Sequence, residues 1–287
     1  MDEMVYLNGA IVPRQQARVS VLDYGFLYGY GLFETMRAYG GRVFRLEKHL
    51  SRLARSAEFL GISTDSIELK DAVHSTLRAN RLQDARVRIT VSIGEGGLTP
   101  DPATCGRPTV LVMAGEYKPY PEQGYQRGFR AVISSLRRNS QTPLAQLKST
   151  SYLESILARQ EARRAGADEA ICLNERELLA EASMSNIFLV ADGVLKTPAV
   201  ESGILPGVTR ETVLELAGKL GIRTLEREIE AEELWRSEEV FLTGSLIEVM
   251  PLVDVDGKPI GDGKPGPVTR RLMDEYRRLV DREFSGQ

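Results

Sequence analysis

Cysteine and histidine are scarce in this chain, and so is lysine. Two cysteines, Cys105 and Cys172, among 287 residues make a disulfide framework untenable, and neither has partners at zinc spacing. Two histidines, His49 and His74, are too few for a histidine-rich metal site, so no metal is expected. No stretch approaches the roughly 18 consecutive apolar residues of a membrane span. The first residues, MDEMVYLNGAIV, are acidic and lack the apolar core of a signal peptide. A soluble, cytoplasmic protein without a membrane partner is expected. Eight residues are lysine and the rest of the 37 basic residues are arginine, against 40 acidic residues and a net charge of −3. Arginine and glutamate are interspersed, as in REIEAEELWRSEE. No basic stripe for nucleic acid forms that way.

What is present is a large apolar fraction, 42%, enough for a substantial core in two domains. Residues 1–118 are expected to form an N-terminal α/β domain, 119–128 a linker, and 129–287 a C-terminal domain. The linker lies in GEYKPYPEQGYQRG, with its prolines and glycines. VYLNGAIV reads as a strand with a turn at Asn8-Gly9, and residues 31–39 as a strand ending at Gly40-Gly41. Residues 46–59 read as a helix with Leu46, Leu50, Leu53 and Ala57 on one stripe. Arg45, His49 and Arg52 are assigned to the opposite, solvated side. VRITVSIG alternates, with Val87, Ile89, Val91 and Ile93 on one face and Arg88 on the other. In the second half, FRAVISSL is a strand and residues 152–165 a helix. EAICLN, ELLAEA, NIFLVA and VLKTP are short strands, with a hairpin turn at Asp192-Gly193. Helices are expected over 209–220, 229–236 and 267–283, with strands at VFLTGS and MPLVDVDG. The pattern is mixed α and β in two unequal lobes.

Four local features carry chemistry. DYGFLYGYGLFETMR, from Asp23, sets Gly25, Gly29 and Gly31 among aromatics, where glycine lets the backbone turn and approach a ligand. LKSTSYL places Lys148 before a helix, where a desolvated amine becomes nucleophilic. Tyr152 follows by four residues; it is either core packing or a phenol near whatever Lys148 binds. EASMSNIFLV gives Glu181, Ser183, Ser185 and Asn186 as a polar entry to an apolar strand. In ILPGVTR, Val208 and Thr209 open a helix whose free N–H groups suit phosphate, unless Thr209 is an ordinary N-cap. Thr243, Gly244 and Ser245 end a later strand.

In this order the motifs resemble the class IV, fold-type IV aminotransferases that use pyridoxal phosphate. The matches are D-x-G-F-x-x-G-x-G-x-F-E from Asp23, L-x-x-H-x-x-R-L from Leu46, K-S-x-x-Y-L at Lys148, E-x-S-x-S-N-I-F at Glu181, I-L-P-G-V-T-R at Ile204 and T-G-S at Thr243. They run over nearly the whole chain. The resemblance implies a two-domain α+β / α/β fold, with a smaller N-terminal lobe and a larger C-terminal lobe holding a pseudo-barrel of short strands. It makes Lys148 the lysine that carries the cofactor and later moves the substrate α-proton. Glu181 would face the pyridine nitrogen and Tyr152 the ring 3-oxygen. Arg52, Ser185, Asn186, Val208, Thr209 and Ser245 would complete the cofactor site, with Arg52 on the phosphate. Tyr28, Phe33, Arg37, Arg88, Ser245 and Leu246 would meet the substrate, a carboxylate going to Arg37 or Arg88. The family also implies a homodimer acting in amino-acid metabolism.

Among the branches, the loop Gly94–Pro100 is similar to the G-x-x-G-[VL]-x-P of branched-chain aminotransferases, which act on L-amino acids and 2-oxo acids such as 2-oxoglutarate. FETMR is similar to the aminodeoxychorismate lyases, whose loop carries an arginine where Leu98 stands. D-amino-acid aminotransferases have a tyrosine at the place of Phe33 and an Arg-x-His in the loop, and this chain has neither. Branched-chain transamination is the expectation, and the lyase the alternative.

Overall fold

The computed structural model describes residues 3–64 and 68–285. The outermost residues of the expected domains, 1–2 and 286–287, and residues 65–67 lie outside that description. The chain divides into two compact units. One holds the residues up to Lys118 together with Leu147–Ser151. The other holds Pro119–Gln146 and the residues from Tyr152 onward.

The first unit is a six-stranded sheet with helices packed on it. Its elements are β1 (Met4–Leu7), β2 (Ala10–Pro13), α1 (Tyr24–Tyr28), β3 (Gly31–Tyr39), β4 (Arg42–Val43), α2 (Leu46–Phe59), α3 (Leu69–Ala79), β5 (Ala85–Ser92) and β6 (Thr109–Glu116). The strand order is β2-β1-β6-β5-β3-β4, antiparallel at every pairing. Gly40 and Gly41, at φ 55° and 77°, close the β3–β4 hairpin in a region that costs other residues strain. The alternation read in β5 holds, with Val87, Ile89 and Val91 fully buried.

Helix α2 corrects the expected arrangement of its faces. Leu46, Leu53 and Ala57 are buried as read, but His49 and Arg52 are buried too. At about 100° per residue His49 lies only about 60° from Leu46, so it flanks the apolar stripe instead of opposing it. Arg45 is no solvated helix residue either. It is the α2 N-cap, at φ 54°, with its guanidinium 5.5 Å from the Phe44 ring centroid. Helix α3, not read from the sequence, buries Ala72, Val73, Thr76 and Leu77, a stripe at helical spacing.

The second unit is built on a nine-stranded sheet. Its elements are α4 (Glu122–Arg127), β7 (Phe129–Arg138), α5 (Leu153–Arg164), β8 (Glu169–Asn174), β9 (Leu179–Ala182), β10 (Asn186–Ala191), β11 (Val194–Pro198), α6 (Val208–Lys219), β12 (Thr224–Arg227), α7 (Glu233–Arg236), β13 (Glu239–Gly244), β14 (Glu248–Val255), β15 (Lys258–Pro259) and α8 (Pro267–Ser285). The order is β12-β11-β10-β13-β14-β7-β8-β9, with β15 on β14. β9, last in that order, returns against β10 and β11, so the sheet curls into the expected pseudo-barrel. β8 and β9 are buried along their whole length, which explains their near-continuous apolar sequences. The Asp192-Gly193 turn joins β10 to β11 with both residues at positive φ. Pro119–Gly128, expected as linker, carries α4 with Tyr125 buried. The helix expected over 229–236 is only Glu233–Arg236. Among the described residues no helix is long and apolar enough to cross a membrane.

Candidate active site

In the first unit, the glycine-rich run holds the backbone of the lysine segment. Asp23 caps α1, and its carboxylate accepts from the Gly25 amide (2.7 Å), Ser92 Oγ (2.8 Å) and Thr109 Oγ1 (2.6 Å). α1 ends at Gly29, at φ 67°. A Cβ at Gly29 would fall 2.6 Å from Ser151 Oγ, and one at Gly31 2.8 Å from the Val91 carbonyl oxygen. These glycines therefore admit neighbouring chain, including Leu147–Ser151. That segment lies along the start of β3: the Phe33 amide donates to the Lys148 carbonyl and the Thr150 amide to the Gly31 carbonyl, both at 2.8 Å.

The alternation of β3 then sorts its side chains. Phe33, 3% exposed, meets the Lys148 ammonium 4.7 Å from its ring centroid and the Arg88 guanidinium at 3.9 Å. Such contacts attract through the ring quadrupole. Arg37, two places further along that face, is set apart. Its guanidinium lies 4.2 Å from the Tyr39 ring and 5.0 Å from the Tyr117 ring. Tyr28 is half-exposed and packs edge-on against Tyr24 at 4.9 Å.

The other face of β3 presents Glu34 to α2. Arg52 donates from Nε to Oε1 (2.8 Å) and from Nη2 to Oε2 (2.7 Å), a bidentate pair, and His49 Nδ1 lies 2.7 Å from Oε2. Burial alone would raise the Glu34 pKa, but the Arg52 charge and both partners' hydrogen bonds bring it down to about 2. Burial lowers the pKa of His49. The Glu34 carboxylate can only accept, so Nδ1 carries the hydrogen of this bond. Sequence reading gave Glu34 no role, although it stands in the quoted FETMR run.

In the second unit, Glu181 at the end of β9 is 6% exposed. Its Oε2 accepts from Asn186 Nδ2 (3.0 Å) and the Leu205 amide (3.2 Å), and its Oε1 lies 3.4 Å from Arg138 Nη2. Asn186 also donates to the Leu205 carbonyl at 2.8 Å, tying β10 to the segment before α6. Arg138, at the end of β7, is a second residue to which sequence reading gave no role. Helix α5 begins only at Leu153, so Tyr152 is its N-cap and does not stand one helical turn beyond Lys148. The Tyr152 hydroxyl lies 3.5 Å from the Ser183 carbonyl. Burial pushes its phenol above the usual value, and nearby Glu181 adds to that.

The α6 N-terminus settles one alternative. The N-cap is Gly207, with no side-chain cap bond, so Thr209 is not an ordinary cap. The first amides of a helix have no partner within it, and they carry its positive dipole end. A Cβ at Gly207 would fall 2.0 Å from Asn186 Oδ1, so only glycine lets this turn approach β10. Asn186 stands opposite Thr243 in the sheet. Ser185 Oγ and Thr243 Oγ1 are buried without a hydrogen-bond partner among the described residues. Ser245 and Leu246 follow, half-buried, in the β13–β14 turn. Arg210 of the same motif turns inward, to the Pro198 carbonyl (2.9 Å) and Glu226 (2.7 Å), and anchors α6. Small donors are thus gathered around a helix N-terminus that lacks a cap.

The sequence model of the family described as Amino-transferase class IV matches residues 31–255. The chain is 41% identical over 276 residues to a putative branched-chain-amino-acid aminotransferase of Methanocaldococcus jannaschii, covering 95% of both proteins. It is 34% identical to the branched-chain-amino-acid aminotransferase of Escherichia coli, over 96% of this chain and 92% of that protein. Among solved structures, the branched-chain aminotransferase of the thermophilic archaeon Thermoproteus uzoniensis, with norvaline, superposes with a TM-score of 0.90 at 39% identity. It covers 98% of this chain and 95% of that one. The 4-amino-4-deoxychorismate lyase of Pseudomonas aeruginosa gives 0.87 at 32% identity, over 96% and 99%.

Proposed function

The chain belongs to the class IV aminotransferases and is a PLP-dependent transaminase, and from that premise we propose that it moves an amino group between an L-amino acid of the branched-chain kind and a 2-oxo acid such as 2-oxoglutarate. The residues of the second unit fit the phosphate of such a cofactor. The α6 N-terminus lacks a side-chain cap, Gly207 keeps it open, and two buried hydroxyls, Ser185 and Thr243, have no other partner. Val208, Thr209, Ser185, Asn186 and Ser245 would hold that end, with Arg52 contributing charge. Glu181 would receive the pyridine nitrogen and Tyr152 the 3-oxygen.

Bound pyridoxal phosphate supplies an electron sink for the pair left at the substrate α-carbon when its proton departs. The remaining work falls to the chain. Lys148 would hold the cofactor and would take the substrate α-proton at Nζ and return it. Glu181 would keep the pyridine nitrogen protonated. The observation that carries the substrate assignment is the Phe33 ring, with the Lys148 ammonium and the Arg88 guanidinium both against it. Arg88 is then the receiver of a substrate carboxylate, and Phe33, with Tyr28 and Leu246, the apolar surface for a branched side chain. Arg37, held between two tyrosines, has the lesser claim. A cytoplasmic homodimer belongs to the same proposal, on the family pattern.

Borohydride reduction of the yellow protein and peptide mapping should place the pyridoxyl label on Lys148; a label on another lysine removes that assignment. L-Leucine or L-glutamate should bleach the yellow band in a half-reaction. The lyase reading is favoured by FETMR and by the likeness to the P. aeruginosa lyase. It takes over if no L-amino acid bleaches the band while aminodeoxychorismate releases pyruvate and aminobenzoate.

A further inference from the structure

Glu181 is surrounded by an uneven set of partners within its own unit. Oε2 takes two neutral donors, Asn186 Nδ2 and the Leu205 amide. Oε1 faces Arg138 Nη2 at 3.4 Å, an ion pair. Arg138 ends β7, its Nη2 donates also to Ser155 Oγ at 3.2 Å, and its Nε is buried without a partner. Other titratable groups near this pair lie on α5 and β8. They are Tyr152 and Glu154 at the start of α5, and Cys172 and Glu169 on β8. Cys172 stands opposite Glu181 in the sheet, and burial pushes its thiol up to about 11, so it stays neutral. Glu169 is held by Ser183, the Ala170 amide and Arg159. Arg138 is therefore a cation that faces Glu181 directly within this unit.

A carboxylate set against a pyridine nitrogen shares one proton with it. Burial and neutral donors alone leave a glutamate a strong competitor for that proton, because desolvation disfavours the anion. A guanidinium within ion-pair distance removes the advantage. We propose that Arg138 is a positioning residue for the transamination: it holds Glu181 as a carboxylate, so that the shared proton stays on the ring nitrogen. The proposal rests on the reading of Glu181 given above.

The test uses holoenzyme loaded with cofactor labelled with ¹⁵N in the ring. Wild type should show the protonated-nitrogen shift. Arg138→Gln should move the signal toward the neutral nitrogen and lower kcat at least tenfold, with the Kd for pyridoxal phosphate changed less than threefold. Arg138→Lys, which restores the charge, should return most of both. A protonated signal in Arg138→Gln overturns the proposal, as does an equal loss in the glutamine and lysine variants, which would mark a merely structural role. Glu181→Gln separates the two readings. If it leaves the signal where wild type has it, the Glu181 assignment itself fails. If it shifts the signal and Arg138→Gln does not, only the role of Arg138 fails. Should Arg138→Gln not fold, Arg138→Met, which removes the charge and keeps a long apolar stem, carries the test: a signal moved toward the neutral nitrogen supports the proposal, and one identical to wild type overturns it.

Discussion

Each unit buries a glutamate beside an arginine, and the two pairs are built differently. Glu34 and Arg52 meet fork to fork at 2.7 and 2.8 Å, with His49 on the same carboxylate. Glu181 and Arg138 stand 3.4 Å apart, and neutral donors hold the other carboxylate oxygen. Around the second pair, polar atoms are left over: Arg138 Nε, Ser185 Oγ and Thr243 Oγ1 are buried without partners among the described residues. Buried polar groups are otherwise almost always satisfied. The close pair fixes α2 on β3 and secures the fold. The loose pair leaves hydrogen-bonding capacity in reserve, which is what a site for a polar ligand requires.

The largest effect should separate the two glutamates by what they sustain. Glu34→Gln removes the counter-charge of a buried guanidinium and should destabilise the protein by about 3–5 kcal/mol. Thermal unfolding would read this as a large drop in Tm. A drop no bigger than that of Glu181→Gln would erase the distinction.

Acid should act on the same residue. The Glu34 pKa is depressed to about 2 from an ordinary 4.5. Its contribution to stability is therefore complete above the ordinary carboxylate value and disappears as pH falls through 4.5 toward 2. The amount is on the order of 3 kcal/mol. Denaturant titrations at several pH values should show that decline in wild type, and a shallower one in Glu34→Gln. Parallel slopes would mean that other carboxylates dominate.

Next in size is Glu181→Gln. It should keep the cofactor but lose kcat on the order of 10²-fold, the usual scale for a lost electrostatic contact to the reacting system. An unchanged rate would show that another group protonates the ring.

The smallest effect sharpens the idea of reserved capacity. Ser185→Ala should weaken pyridoxal phosphate by about 1 kcal/mol, the net worth of one hydrogen bond, while leaving the apoprotein as stable or slightly more so. Apoprotein stability that falls, with cofactor affinity intact, would show the Ser185 hydroxyl to be structural.

Features confined to a few consecutive residues were legible in the sequence. Gly207 before Val208 announces a helix opening, and the Asp192-Gly193 hairpin and the buried runs of β8 and β10 follow from short-range pattern. The two arginine partnerships were not legible. Arg52 reaches back 18 residues to Glu34, and Arg138 finds Glu181 across the β7–β8–β9 pairing. Periodicity placed His49 and Arg52 on a wet face because it scores apolar residues only. A polar pair that satisfies itself inside the core mimics a solvated face. The glycines after Asp23 pointed to a close approach, but the closeness is to neighbouring chain, above all to Ser151.

That last contact bears on the order in which the protein is made. The strand pairing Leu32↔Ser149 joins residues that emerge far apart during synthesis. All six strands of the first sheet have appeared by Lys118, yet Lys148 is still to come, carried on five residues returned from the second half of the chain. Closing so long a loop costs entropy that the glycine-lined docking of Thr150 and Ser151 must offset. A product truncated after Lys118 would contain every strand of the first sheet and lack Lys148. The lysine joins that sheet only after β7 of the second unit has been made.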